Sequence, residues 1–79
     1  MAPILEIVAE IIEKGRYKKS KKTEAQLNKL ISELFKLHRA EGSEESAKRL
    51  YHEIITLAEL GRGALAKKFA MQFEREVGY

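Results

Sequence analysis

Six of the nine residues from Lys14 to Lys22 are basic: Lys14, Arg16, Lys18, Lys19, Lys21 and Lys22. The other nine Lys and Arg of the chain face all twelve of its acids. The net charge of +3 is therefore a local +6 set against −3 elsewhere. Charge concentrated in this way attracts polyanions far more than dispersed charge does. The chemistry available to it is phosphate contact: cations laid on DNA or RNA displace condensed counterions, and affinity then falls steeply with salt. Tyr17, inside the cluster, could stack on an exposed base or pack over the end of the first helix. The same charges suit an anionic membrane surface or an acidic protein, and in a solvated connecting loop they serve only solubility. Nothing in the segment would read base sequence.

Other residues with chemical potential are poorly grouped. His38 and His52 fall on different helices, with no Cys or Asp to join them, a weak inventory for a closed metal site. Ser20, Ser32, Ser43 and Ser46 sit in polar or capping contexts, and no Ser/His/acid arrangement can be read from spacing. Glu44 and Glu45 are adjacent and point different ways around a helix, where first-turn charge is a sufficient role for them. Gly61-Arg62-Gly63 lacks both the lysine of a phosphate loop and dinucleotide-binding spacing. The expectation is a non-enzymatic chain without cofactor or metal.

The elements that must position these residues are helices. Ile4, Leu5, Val8, Ile11 and Ile12 recur at helical spacing after Pro3 and stop at Gly15. Thr23 followed by Gln26 fits a capping box, ahead of a stripe of Leu27, Leu30, Ile31, Leu34 and Leu37 with Phe35 to one side. Gly42 ends that helix and Ser43 caps the next, in which Ala47, Leu50, Tyr51, Ile54, Leu57 and Ala58 face inward. The last helix carries Leu65, Phe69, Phe73 and Val77 at four-residue steps, with Ala66 and Ala70 beside them, and Gly78 closes it. No segment alternates like a strand. The prediction is an all-α four-helix bundle spanning 1–79 as one domain, with helices at about 3–14, 23–41, 44–60 and 64–77. Short glycine-containing breaks make the last three helices antiparallel neighbours, and the basic segment is the one long connection. Leu65 to Met71 superficially resembles the first helix of a helix-turn-helix, but the unbroken stripe to Val77 reads as one continuous helix.

Composition narrows the setting. A chain of 79 residues sits near the lower size for a self-sufficient core. Cysteine is absent, so disulfides and thiolate sites are excluded. No apolar run approaches the roughly 18 residues of a membrane span. The start carries no positive leader, which reads as cytoplasmic. Every acid is Glu, and Lys, Glu, Leu, Ile and Ala dominate. This helix-forming alphabet is similar to hyperthermophile usage and fits a thermostable or engineered scaffold equally well.

Several pieces of the chain resemble the immunity proteins of pediocin-like bacteriocins, which are small basic four-helix bundles. The matching residues are Leu27-Asn28-Lys29-Leu30, Glu41-Gly42, Glu53-Ile54, Ala58, Leu65 and the terminal Gly78-Tyr79. The resemblance implies protection of a producing cell through a toxin–receptor complex, without enzymatic activity, and carries over no site residue. Besides a stable or engineered scaffold without a natural ligand, the readings of the residues themselves are two. One is a module contacting nucleic acid or another polyanion through residues 14–22. The other is a protein-interaction or self-associating bundle using an apolar strip that includes Phe35 and Met71.

Overall fold

The structure, a computed structural model, describes residues 3–78 and consists of α1 (Ile4–Lys14), α2 (Glu24–Glu41), α3 (Glu44–Glu59) and α4 (Gly63–Glu76). There is no strand among the described residues, and the all-α four-helix bundle is the observed fold. Met1, Ala2 and Tyr79, the last of which contributes to the immunity-protein resemblance, lie outside the described residues.

Local signals set the ends of each helix. The Pro3 carbonyl accepts the Glu6 and Ile7 amides and opens α1. Thr23 and Gln26 form the reciprocal capping box: Thr23 Oγ1 accepts the Gln26 amide at 3.2 Å, and Gln26 Oε1 accepts the Thr23 amide at 2.9 Å. Ser43 Oγ accepts the Ser46 amide at the start of α3. The end of α3 is a Schellman turn, with Arg62 N–H bonded to Leu57 O and Gly61 N–H to Ala58 O. Gly61 sits there at φ +79°, a left-handed conformation costly for any residue with a Cβ.

The chain runs up, down, up and down. α3 and α4 form a hairpin, α1 packs on both of them, and α2 packs on α3. A Cβ on Gly63 would meet the Ile12 side chain, so the end of α1 adjoins the start of α4. Leu5, Met71, Glu74 and Arg75 line one depression, so the start of α1 adjoins the end of α4. The faces of α3 and α4 are buried as the spacing predicts, except that Val77 is only partly covered. Ala58, Ala66 and Ala70 are fully buried, and their small side chains leave room for larger ones from neighbouring helices. Phe35 stacks on Phe69 at 5.9 Å between centroids, and Tyr51 meets Phe73 edge-on at 5.7 Å.

The buried face of α2 differs from the expected stripe. It is Leu27, Ile31, Leu34 and Phe35, while Leu30 is half-buried and Leu37 is 39% exposed. At 100° per residue, Leu37 lies about 100° around the helix from the centre of that face, and Phe35 about 60° on the other side. Contact with Phe69 turns the helix toward Phe35 and leaves Leu37 outside.

Away from the basic segment, Arg39 Nε and Nη2 donate to the two Glu76 carboxylate oxygens at 2.7 and 3.0 Å, tying the ends of α2 and α4. The Arg39 hydrogen bonds hold the Glu76 carboxyl below its ordinary range despite partial burial, and Gln72 adds a further bond. A carboxylate with a depressed pKa contributes stability above the unfolded carboxyl's pKa and loses it as pH falls through the folded value. The urea midpoint should therefore fall on acidification through the carboxylate range, and Glu76→Gln should show a smaller fall. Solvent screening keeps the effect modest.

Candidate polyanion-binding site

The basic segment is an irregular connection, with no helical residue from Arg16 to Thr23. Its backbone is nevertheless fixed at several points. Lys18 N–H donates to the Glu59 carbonyl at 2.8 Å, satisfying one of the free acceptors at the end of α3. The Tyr17 hydroxyl donates to the Ile12 carbonyl at 3.0 Å. Its ring lies over Gly61, where a Cβ would stand 3.2 Å from Tyr17 Cγ. Lys22 N–H donates to Ser20 Oγ, and the capping box of α2 begins one residue later. The absence of a side chain at Gly61 thus serves both the Schellman turn and the docking of Tyr17. Tyr17 takes the packing role read for it and anchors the loop, while the residue stays 49% exposed.

All six cations, Lys14, Arg16, Lys18, Lys19, Lys21 and Lys22, are exposed. Lys14, Arg16 and Lys18 line a depression of about 200 Å³ with Ile11 and Glu59. Among the described residues no ion pair involves any of the six. The three ion pairs there are Lys36–Glu33, Arg39–Glu76 and Lys48–Glu44, all on other parts of the bundle.

The fold also brings cations that the sequence reading did not assign to this end. The α3–α4 turn, held to the loop by Lys18 and Tyr17, carries Arg62, whose Nε is buried without a hydrogen-bond partner among the described residues. Lys68 lines a second depression with Glu24, Ala25, Asn28, Ala64 and Leu65, between the first turns of α2 and α4. Segments 13–24 and 59–68 together hold nine Lys or Arg and three Glu, or +6, while the rest of the chain holds six and nine, or −3. The signal in the sequence was Arg62, Lys67 and Lys68 about a glycine break, and folding sets Arg62 beside the loop and Lys68 beside the start of α2.

Phe35 is corrected. At 1% exposure and stacked on Phe69 it belongs to the core, and it offers nothing to a protein interface. Met71 is 51% exposed, yet it lines a depression with Leu5, separate from the one holding Leu30 and Leu37. The strip expected to join Phe35 and Met71 therefore does not form. α4 is continuous from Gly63 to Glu76, so Leu65 to Met71 does not enter a helix-turn-helix.

The structure does join one Ser and one His. His38 Nδ1 lies 2.6 Å from Ser46 Oγ, which donates to the Ser43 carbonyl at 2.8 Å and is reached by Ser43 Oγ at 3.2 Å. The direction of the His38–Ser46 hydrogen bond follows the imidazole tautomer, and in either direction the pair ties the last turn of α2 to the first turn of α3. Ser46 is 8% exposed. No three His, Cys, Asp or Glu side chains converge on a metal position among the described residues. No helix among them is long and apolar enough to cross a membrane.

The fold thus defines the class of protein as a small all-α bundle with one strongly basic end. No family model, curated protein or solved structure matches the chain.

Proposed function

We propose that this chain is a non-enzymatic cytoplasmic binding module that holds nucleic acid, or another polyanion, through residues 14–22. The observation that carries this reading is the separation of charge. The six loop cations are exposed and without ion pairs among the described residues, whereas the pairs that do form lie elsewhere. Cations already neutralised by carboxylates would have to break those pairs to meet phosphates. Cations left in solvent need only shed water and counterions.

The test is fluorescence anisotropy of a labelled duplex of arbitrary sequence at low salt and at a fourfold higher concentration. Binding should weaken about fortyfold if three phosphates are neutralised and about 1,800-fold if six are. Affinity that barely changes with salt, or no binding at low salt, would overturn the reading. The rival, a protein-interaction or self-associating bundle of the immunity-protein kind, rests on exposed Met71 and predicts association insensitive to salt.

A further inference from the structure

We infer that the ligand of the basic end is a nucleic-acid duplex, held by its phosphates from two segments at once. The loop cations form one arm, and Arg62, Lys67 and Lys68 at the start of α4 form the other. The inference rests on the polyanion reading above and goes past it in the residues added and in the form of nucleic acid selected.

The second arm follows from packing. Glu59 and Gly61 hold the backbone of Lys18 and the ring of Tyr17, and Arg62 is the next residue along. On the far side of the α2 start, Lys68 shares a depression of about 440 Å³ with Glu24 and Ala25, which follow Lys21 and Lys22 after Thr23. Lys67 and Lys68 are exposed, and neither forms an ion pair with a described residue. Lys68 Nζ stands over the Phe69 ring, 5.3 Å from its centroid. That contact holds its stem against the bundle while leaving the charge in solvent.

Three features favour a duplex over a single strand. First, proteins that hold single strands stack bases on aromatic side chains. Among the described residues Tyr17 is the one exposed aromatic at this end, and its hydroxyl and one ring face are already engaged. The other large exposed apolar side chains among the described residues are Leu37 and Met71, neither of them aromatic. Second, the loop is tied through the Tyr17 hydroxyl and the Lys18, Lys22 and Thr23 amides, so its cations project from a preset frame. A preset array loses least freedom against an equally rigid ladder of phosphates. Third, each phosphate neutralised on a duplex releases more counterion than on a single strand, about 0.9 against 0.7.

No element at this end is free to read bases. α2 opens on Thr23-Glu24, whose carboxylate opposes entry into a groove, and Leu65 and Ala66 of α4 are buried in the core. Contact is therefore with the backbone and independent of sequence.

The experiment is anisotropy at low salt with a labelled 20-base-pair DNA duplex and one of its strands, on the full chain and on Lys67→Gln/Lys68→Gln. The duplex should bind about tenfold more tightly than the strand, and the double variant should flatten the duplex salt slope by about two. Lys67→Arg/Lys68→Arg should restore the slope, which separates charge from folding, and circular dichroism checks the helix content of each variant. Equal or tighter single-strand binding, or an unchanged slope in the Gln variant, would overturn this inference and leave the loop reading standing. Binding of neither probe would overturn both.

Discussion

Phe35→Ala should destabilise the bundle by about 3–5 kcal/mol, the range for deleting a buried aromatic from a packed core. Phe35 is 1% exposed and stacks on Phe69, so truncation removes both apolar burial and a ring contact that links α2 to α4. A chain of 79 residues has about 4–12 kcal/mol of total stability, so the loss is a large share of it. Urea unfolding followed by far-ultraviolet circular dichroism measures the effect. Met71→Ala, at a half-exposed position, is the control and should shift stability by no more than about 0.5 kcal/mol. A cost below about 1 kcal/mol for Phe35→Ala, together with a change in oligomeric state, would return Phe35 to an interface.

How well the sequence foretold each part depended on how many elements had to agree. α3 and α4 each carry one dominant apolar face, and those faces are buried as read except for partly covered Val77. The caps at Thr23 and Ser43 are local chemistry within four residues and form as the spacing implies. α2 was harder because Leu30, Leu34, Leu37 and Phe35 together span a face wider than its neighbours can cover. Which edge stays outside is decided by Phe69, a residue more than thirty positions away, and periodicity within α2 holds no trace of it. The candidate site divides in the same way. Its six loop cations are contiguous and visible at once. Arg62 joins them only through the Lys18–Glu59 hydrogen bond and the seating of Tyr17 on Gly61, and Lys68 through the depression it shares with Glu24 and Ala25.

Changing Lys14, Arg16, Lys18, Lys19, Lys21 and Lys22 together to Gln should abolish nucleic-acid binding while the bundle stays folded. The two effects separate because the bonds that shape the loop do not use those side chains. Tyr17 donates through its own hydroxyl, Lys18 and Lys22 through backbone amides, and Thr23 caps α2 together with Gln26. Glutamine keeps every one of those amides. On the stability side, the variant relieves like-charge repulsion along the loop and gives up the favourable placement of Lys14 at the end of α1, a term of about 0.3–1 kcal/mol. These oppose each other, so the urea midpoint should move little. On the binding side, non-specific affinity of about 1–100 µM is carried almost wholly by phosphate contacts, so losing six cations should push the dissociation constant beyond about 1 mM. The net charge becomes −3, which turns the long-range attraction into repulsion. Anisotropy at low salt, with circular dichroism on the same samples, reads both quantities. A folded variant that still binds duplex would transfer the phosphate contacts to Arg62, Lys67 and Lys68, and the loop would then be a solvated connector.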